Sequence, residues 1–106
     1  MYPKEFGGKL GYTEILCWDY KSTGTQAFLV MGGRSSSGDV VTHPKSGVLI
    51  MEDAVNFGIL WTREFFQTNY AVQDVRVQQV AFDSSSDTLF VALNPVVIIK
   101  MVQSTG

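Results

Sequence analysis

Apolar residues in this chain come in short runs on successive positions, not at intervals of three and four. Ala27-Phe28-Leu29-Val30-Met31, Val48-Leu49-Ile50-Met51, Leu89-Phe90-Val91-Ala92-Leu93 and Val96-Val97-Ile98-Ile99 are the clearest. Gly, Pro, Ser and Asp punctuate them. No stretch of about 12 residues keeps a 3.6-residue period, so the pattern predicts strands rather than long helices. The strands expected are Tyr12–Asp19, Ala27–Met31, Val48–Glu52, Gly58–Phe65, Arg76–Phe82, Thr88–Leu93 and Val96–Val102. A short helix competes for Gly58–Phe65. Residues 1–11, with Pro3, Gly7, Gly8 and Gly11, read as an irregular lead-in. Arg34–Ser46 is the one long loop, with Val40-Val41-Thr42 a candidate for a short strand inside it, and Phe66–Asp74 is a second loop.

Successive side chains of a strand point to opposite faces. A strand that is apolar on every position therefore wants cover on both sides, whereas a hairpin with one wet face alternates. Short antiparallel hairpins with two apolar faces imply sheets stacked on sheets. Turn chemistry places the hairpins: Asp83–Asp87 joins the fifth and sixth strands, Tyr20–Gln26 the first two, and Asn94-Pro95 the last two. The hairpins also repeat. Trp18-Asp19 aligns with Phe82-Asp83 at an offset of 64, and Leu29-Val30 with Phe90-Val91 at an offset of 61. One structural domain of two units is expected. Residues 12–66 form a four-stranded unit, and residues 67–106 an incomplete three-stranded one. The fourth strand of the second unit would come from a neighbouring molecule or from Tyr2–Leu10.

Leu60-Trp61-Thr62-Arg63-Glu64-Phe65, a polar gap, and then Val80-Ala81-Phe82-Asp83-Ser84-Ser85-Ser86-Asp87-Thr88-Leu89-Phe90-Val91 resembles a β-propeller repeat. It is similar to repeats with a tryptophan-x-x-x-phenylalanine outer strand and an aspartate-serine turn before an aliphatic strand. Leu29-Val30-Met31-Gly32-Gly33 is similar to the double glycine of kelch repeats, without the tyrosine that follows it there. The resemblance covers about Tyr12–Val102. It implies a propeller used as a recognition surface and no catalytic residues. Propellers close with about four to eight blades, and units with two apolar faces need about three or more to be stable. Two blades thus belong to a larger propeller, or three or four copies assemble into one. A self-contained β-sandwich or barrel is a further reading, which predicts a stable monomer.

Composition narrows the partners. With 45% hydrophobic and 12% aromatic residues over 106 positions, the chain can bury a core, which argues against disorder of the whole chain. Charged residues are 17%, below the usual quarter or so, so the surface is uncharged polar or hidden in contacts. A net charge of -2 supplies no basic stripe for nucleic acid. No apolar run approaches the roughly 18 residues of a membrane span, and Met1–Gly8 has no apolar signal core. The expectation is a soluble, intracellular chain with neither nucleic acid nor membrane as partner. A single cysteine, Cys17, excludes an internal disulfide framework and reads as a small apolar residue.

Candidate chemistry is sparse. His43 is the only histidine, in a loop with Ser35–Ser37 and Asp39. A Ser/His/Asp set can be written there, but nothing resembles a nucleophile elbow. A metal site wants several ligands, and His43 has no partner in sequence. Asp83 and Asp87 flank three serines at a spacing that fits turn hydrogen bonding rather than a calcium loop. Gly32-Gly33 is followed by no helix, which argues against a phosphate cradle. No catalytic, metal or cofactor residues are expected. Trp18, Trp61, Phe65, Phe66, Tyr70 and Phe82 read as packing residues, with any exposed member a binding anchor. The binding positions expected are Arg34, Asp39, His43, Arg63 and Tyr70, with Arg34–Ser46 as the partner-facing loop. Arg76 is a further arginine of the same kind. The function expected is a non-enzymatic module for protein recognition or self-association, forming a homo-oligomer or part of a longer propeller. The alternative is a small-ligand-binding or hydrolytic β domain using the His43 loop.

Overall fold

The computed structural model describes residues 3–5, 12–35, 47–65, 75–94 and 97–106, and these contain strands and no helix. The strands are β1 (Pro3–Glu5), β2 (Tyr12–Thr23), β3 (Gln26–Ser35), β4 (Gly47–Asp53), β5 (Ile59–Phe65), β6 (Arg76–Phe82), β7 (Thr88–Asn94) and β8 (Val97–Val102). They form two sheets, β1-β2-β3-β4-β5 and β6-β7-β8, in which every neighbouring pair is antiparallel. The hydrophobic runs predict the all-β architecture and seven of these strands, four in the first unit and three in the second; β1 brings the first sheet to five. Among the described residues the sheets do not close into a barrel.

Three local features differ from the sequence reading. Pro3–Glu5, inside the lead-in, pairs with Tyr12–Glu14 of β2. It extends the first sheet and does not supply a fourth strand to the second. Gly58–Phe65 is extended from Ile59 onward, so the competing helix does not form. The first turn is also shorter than its polar composition suggests. β2 continues through Asp19 to Thr23, and only Gly24-Thr25 turns, closed by the pair Thr23↔Gln26. Gly24 has a φ of 59°, which the first position of a tight hairpin turn requires. Tyr20 and Thr23 are good strand formers, and the polar tail of β2 is a strand edge rather than a loop. Asp19 therefore sits mid-strand, and it is not the positional counterpart of Asp83.

The core lies between the sheets. Val30, Leu49 and Met51 of the first sheet meet Val77, Val80, Leu89 and Val91 of the second, and all seven are buried. On the far side of the first sheet, Ile15, Met31, Val48 and Ile50 form a second buried cluster. Each fully buried aliphatic side chain contributes about 1.5–3 kcal/mol. β4 thus has both faces buried from Gly47 to Glu52, as its unbroken apolar run predicts. A bulge between Ile15 and Cys17 lets these two residues face opposite sides.

β6 packs across β2 and β3. At the crossing, a Cβ on Gly32 would overlap the Val77 side chain, and the Cys17 Sγ lies 3.6 Å from both the Gly32 and Val77 carbonyls. Gly32 is there because β6 could not come this close over any other residue. Gly32→Ala is expected to lower the unfolding free energy by about 1–3 kcal/mol, measured by urea denaturation. In a Val77→Ala background the same change costs less, since the most strongly overlapping atom, Val77 Cγ1, is gone. An equal cost in both backgrounds contradicts the close approach.

Candidate functional site

The polar groups of the described chain converge where the hairpin ends of the two sheets meet. Lys21, paired with Phe28 across β2 and β3, projects toward the second sheet. Its Nζ donates to the Asp83 carbonyl at 2.9 Å, the Ser86 carbonyl at 2.8 Å and Gln103 Oε1 at 2.9 Å. Gln103 follows β8 and is buried. Its N–H donates to the Asp87 carbonyl at 3.0 Å, and its carbonyl accepts from Trp61 Nε1 at 2.9 Å. One residue after β8 is thereby tied to β2, to β5 and to the β6–β7 turn. Nearby, Asp19 Oδ2 accepts from the Phe82 N–H at 2.8 Å, and its Oδ1 from Tyr20 N–H at 2.9 Å. Asp19 thus bonds across the sheets as well as locally.

Lys21 and Gln103 line an open cleft of about 470 Å³ whose wall also includes Phe28, Leu60 and Ser84–Asp87. Its Lys21, Ser85, Ser86 and Ser104 donors are spent on the fold. All three Lys21 protons go to neutral oxygens. The Ser85 and Ser86 hydroxyls donate to Asp83 Oδ1 and Oδ2, both at 2.9 Å, and Ser104 Oγ donates to Asp87 Oδ2 at 2.6 Å. A serine nucleophile needs a base that accepts its proton from a position facing substrate. Here the carboxylate belongs to the serines' own turn. The Ser85 N–H, then the two hydroxyls and the Lys21 charge, hold the Asp83 carboxyl below its ordinary range. The Asp53 carboxyl is lowered in the same way, first by the Val55 and Asn56 N–H groups. The two turns share a closing bond: Asp53 N–H donates to Gly58 O at 2.8 Å, and Asp83 N–H to Thr88 O at 3.0 Å. Aspartate at these positions is hairpin chemistry. Burial pushes the Cys17 thiol up to about 11, so at neutral pH it is protonated and acts as a packing residue.

The binding positions expected from sequence are not gathered into one place. Arg34, on β3, meets Glu14 of β2 at 3.6 Å. Arg63, on β5, donates from Nη2 to the Thr105 carbonyl at 3.5 Å and to the Gly106 oxygen. Asp39, His43 and Tyr70, with most of the Arg34–Ser46 loop, lie outside the described residues. Arg76 has a buried Nε without a hydrogen-bond partner among the described residues. No group of three His, Cys, Asp or Glu residues able to hold a metal occurs among the described residues. Lys21 and Gln103 went unrecognised in the sequence. Lys21 lies in a run that reads as solvated turn, and Gln103 follows the last apolar strand with nothing to mark it as buried.

No known protein family, curated protein or solved structure matches the chain.

Lys21→Met keeps the stem of the side chain and removes all three bonds. If the junction is structural, the variant unfolds at lower urea, with a loss of about 1–3 kcal/mol. Unchanged stability contradicts that role.

Proposed function

We propose that the chain is a non-enzymatic β-propeller-type module that works by protein recognition and assembly. The observation that carries this reading is the outward side of the second sheet. There Phe90 is 40% exposed and Ile98 72%. Phe90 pairs with Ala81 on β6, and Ala92 with Ile98 on β8. Together they line a shallow apolar hollow of about 190 Å³ on the sheet surface. Single exposed apolar residues are ordinary. Lys100, which pairs with Phe90, and Gln79, which pairs with Ala92, share this face, and exposed apolar residues clustered among polar ones suit an interaction site.

The three-stranded meander supports the same reading. β7 is the central strand of its sheet, and its successive residues Leu89 to Ala92 are apolar on both faces. One face is buried against the first sheet through Leu89 and Val91, and the other is open at Phe90. A strand with this composition suits a stack in which each sheet lies between two others, as in a propeller. In the polar cleft beside Lys21, the Lys21, Ser85, Ser86 and Ser104 donors are already paired within the chain.

A photo-crosslinking phenylalanine analogue placed at Ile98 tests the reading in cells that produce the chain. Irradiation is expected to give a covalent adduct with a protein, identified by mass spectrometry. Efficient reaction with solvent alone, with no protein adduct, contradicts an interaction role for this face.

A further inference from the structure

We propose that β8 takes up an extended segment of another protein as an added antiparallel strand, and that this segment carries a carboxylate opposite Lys100. This rests on the recognition reading above and gives the partner its chemistry.

β8 is the edge of the second sheet, and among the described residues it pairs with β7 alone. The direction of its backbone groups follows from one bond just beyond it. The Gln103 N–H donates to the Asp87 carbonyl at 3.0 Å, one step on from the pair Thr88↔Val102. Along an antiparallel pair, residues alternate between exchanging backbone bonds and turning those groups away. Gln103 bonds toward β7, so Met101, Ile99 and Val97 do as well. Val102, Lys100 and Ile98 turn their N–H and C=O to the open side. The Val102 carbonyl agrees with this direction, since it accepts from the Gly106 N–H at 2.8 Å, outside the sheet. The Val102 N–H and both backbone groups of Lys100 and Ile98 thus form an edge set for one more strand. In the first sheet the third strand of the unit, β4, has such a neighbour: β5 runs antiparallel along it.

The side chains on this edge select the strand that fits. Ile98, Lys100 and Val102 stand on the outward face, with Ile98 72% and Val102 51% exposed. Lys100 lies between them, exposed, and has no ion-pair or hydrogen-bond partner among the described residues. A carboxylate directly across the ladder pairs with the ammonium group, and apolar residues two positions to either side cover Ile98 and Val102. Lysine on an edge strand also guards against unselective pairing. Two β8 strands laid together bring two ammonium groups and no carboxylate into one short ladder, which disfavours a second copy at this edge. Main-chain bonds supply the affinity of such an addition, and the alternate side chains its specificity.

Fluorescence anisotropy with the labelled peptide Thr-Val-Thr-Glu-Thr-Val-Thr tests this on the full chain. Saturable binding is expected. Replacing the peptide's glutamate by lysine is expected to weaken it by about three- to tenfold, and a Lys100→Glu chain is expected to reverse the preference. If Lys100→Glu does not fold by circular dichroism, Lys100→Gln takes its place, and the two peptides are then expected to bind equally. In an antiparallel addition the peptide's glutamate exchanges both backbone bonds with Lys100. N-methylation of that glutamate is therefore expected to abolish binding, and N-methylation of the threonine after it to leave binding intact. Absence of saturable binding overturns the proposal, as does equal affinity of the wild type for both peptides or undiminished binding of the peptide methylated at glutamate. So does a Lys100 amide already protected from hydrogen exchange in the chain alone, because the chain itself or a second copy then covers the edge. In each case a protein adduct at Ile98 keeps the recognition reading and removes only strand addition.

Discussion

Strands that are apolar on both faces impose one constraint on everything else in this chain: each sheet needs a neighbour on each side. A backbone in extended conformation sends alternate side chains to opposite faces, so the constraint follows directly from runs such as Val48–Met51 and Leu89–Ala92. β4 meets it completely, with Leu49 and Met51 against the second sheet and Val48 and Ile50 in the cluster beyond. β7 meets it on one side only. The difference between these two central strands is the reason for placing function on a surface and not in a cleft.

How the two sheets are held together follows from two contacts of opposite kinds. At one end of the crossing, Gly32 removes a side chain so that Val77 can approach β3. At the other, Lys21 and Asp19 bridge polar groups that the crossing would strip of water. A buried acceptor without a partner is costly, and Gln103 is fixed on three sides for this reason. The packing is thus specific as well as apolar. The cleft beside Lys21 is the visible by-product of that junction. It has the residue types of a catalytic site, namely lysine, serine and aspartate, with their hydrogen bonds turned inward to the fold.

The fold was legible because strand signals here are strong and local. Seven runs bounded by Gly, Pro, Ser and Asp become seven of the eight strands in the same order, four in the first sheet and three in the second, with β1 added to the first. What was not legible depended on contacts far apart in sequence. Nothing near Lys21 announces that its partners lie at Asp83, Ser86 and Gln103. The offset between the two hairpins was not legible either. Matching Leu29-Val30 to Phe90-Val91 differs by one residue from the offset of the closing pairs, which sets Phe28 against Phe90, and one residue reverses every side chain from one face to the other. Arginines are poor guides for a related reason. Arg34 and Arg63 have the composition of binding anchors, yet both are engaged within the chain.

The central claim is that the outward side of the second sheet is covered when the protein does its work. Fluorine NMR on chain labelled with fluorophenylalanine measures this at a single side chain. The solvent isotope shift of the Phe90 resonance reports its contact with water, and Phe57, exposed on the β4–β5 turn, serves as the reference. On adding the protein that crosslinks to Ile98, the account predicts that Phe90 loses its solvent shift while Phe57 keeps its own. A Phe90 solvent shift unchanged from that of the chain alone contradicts it.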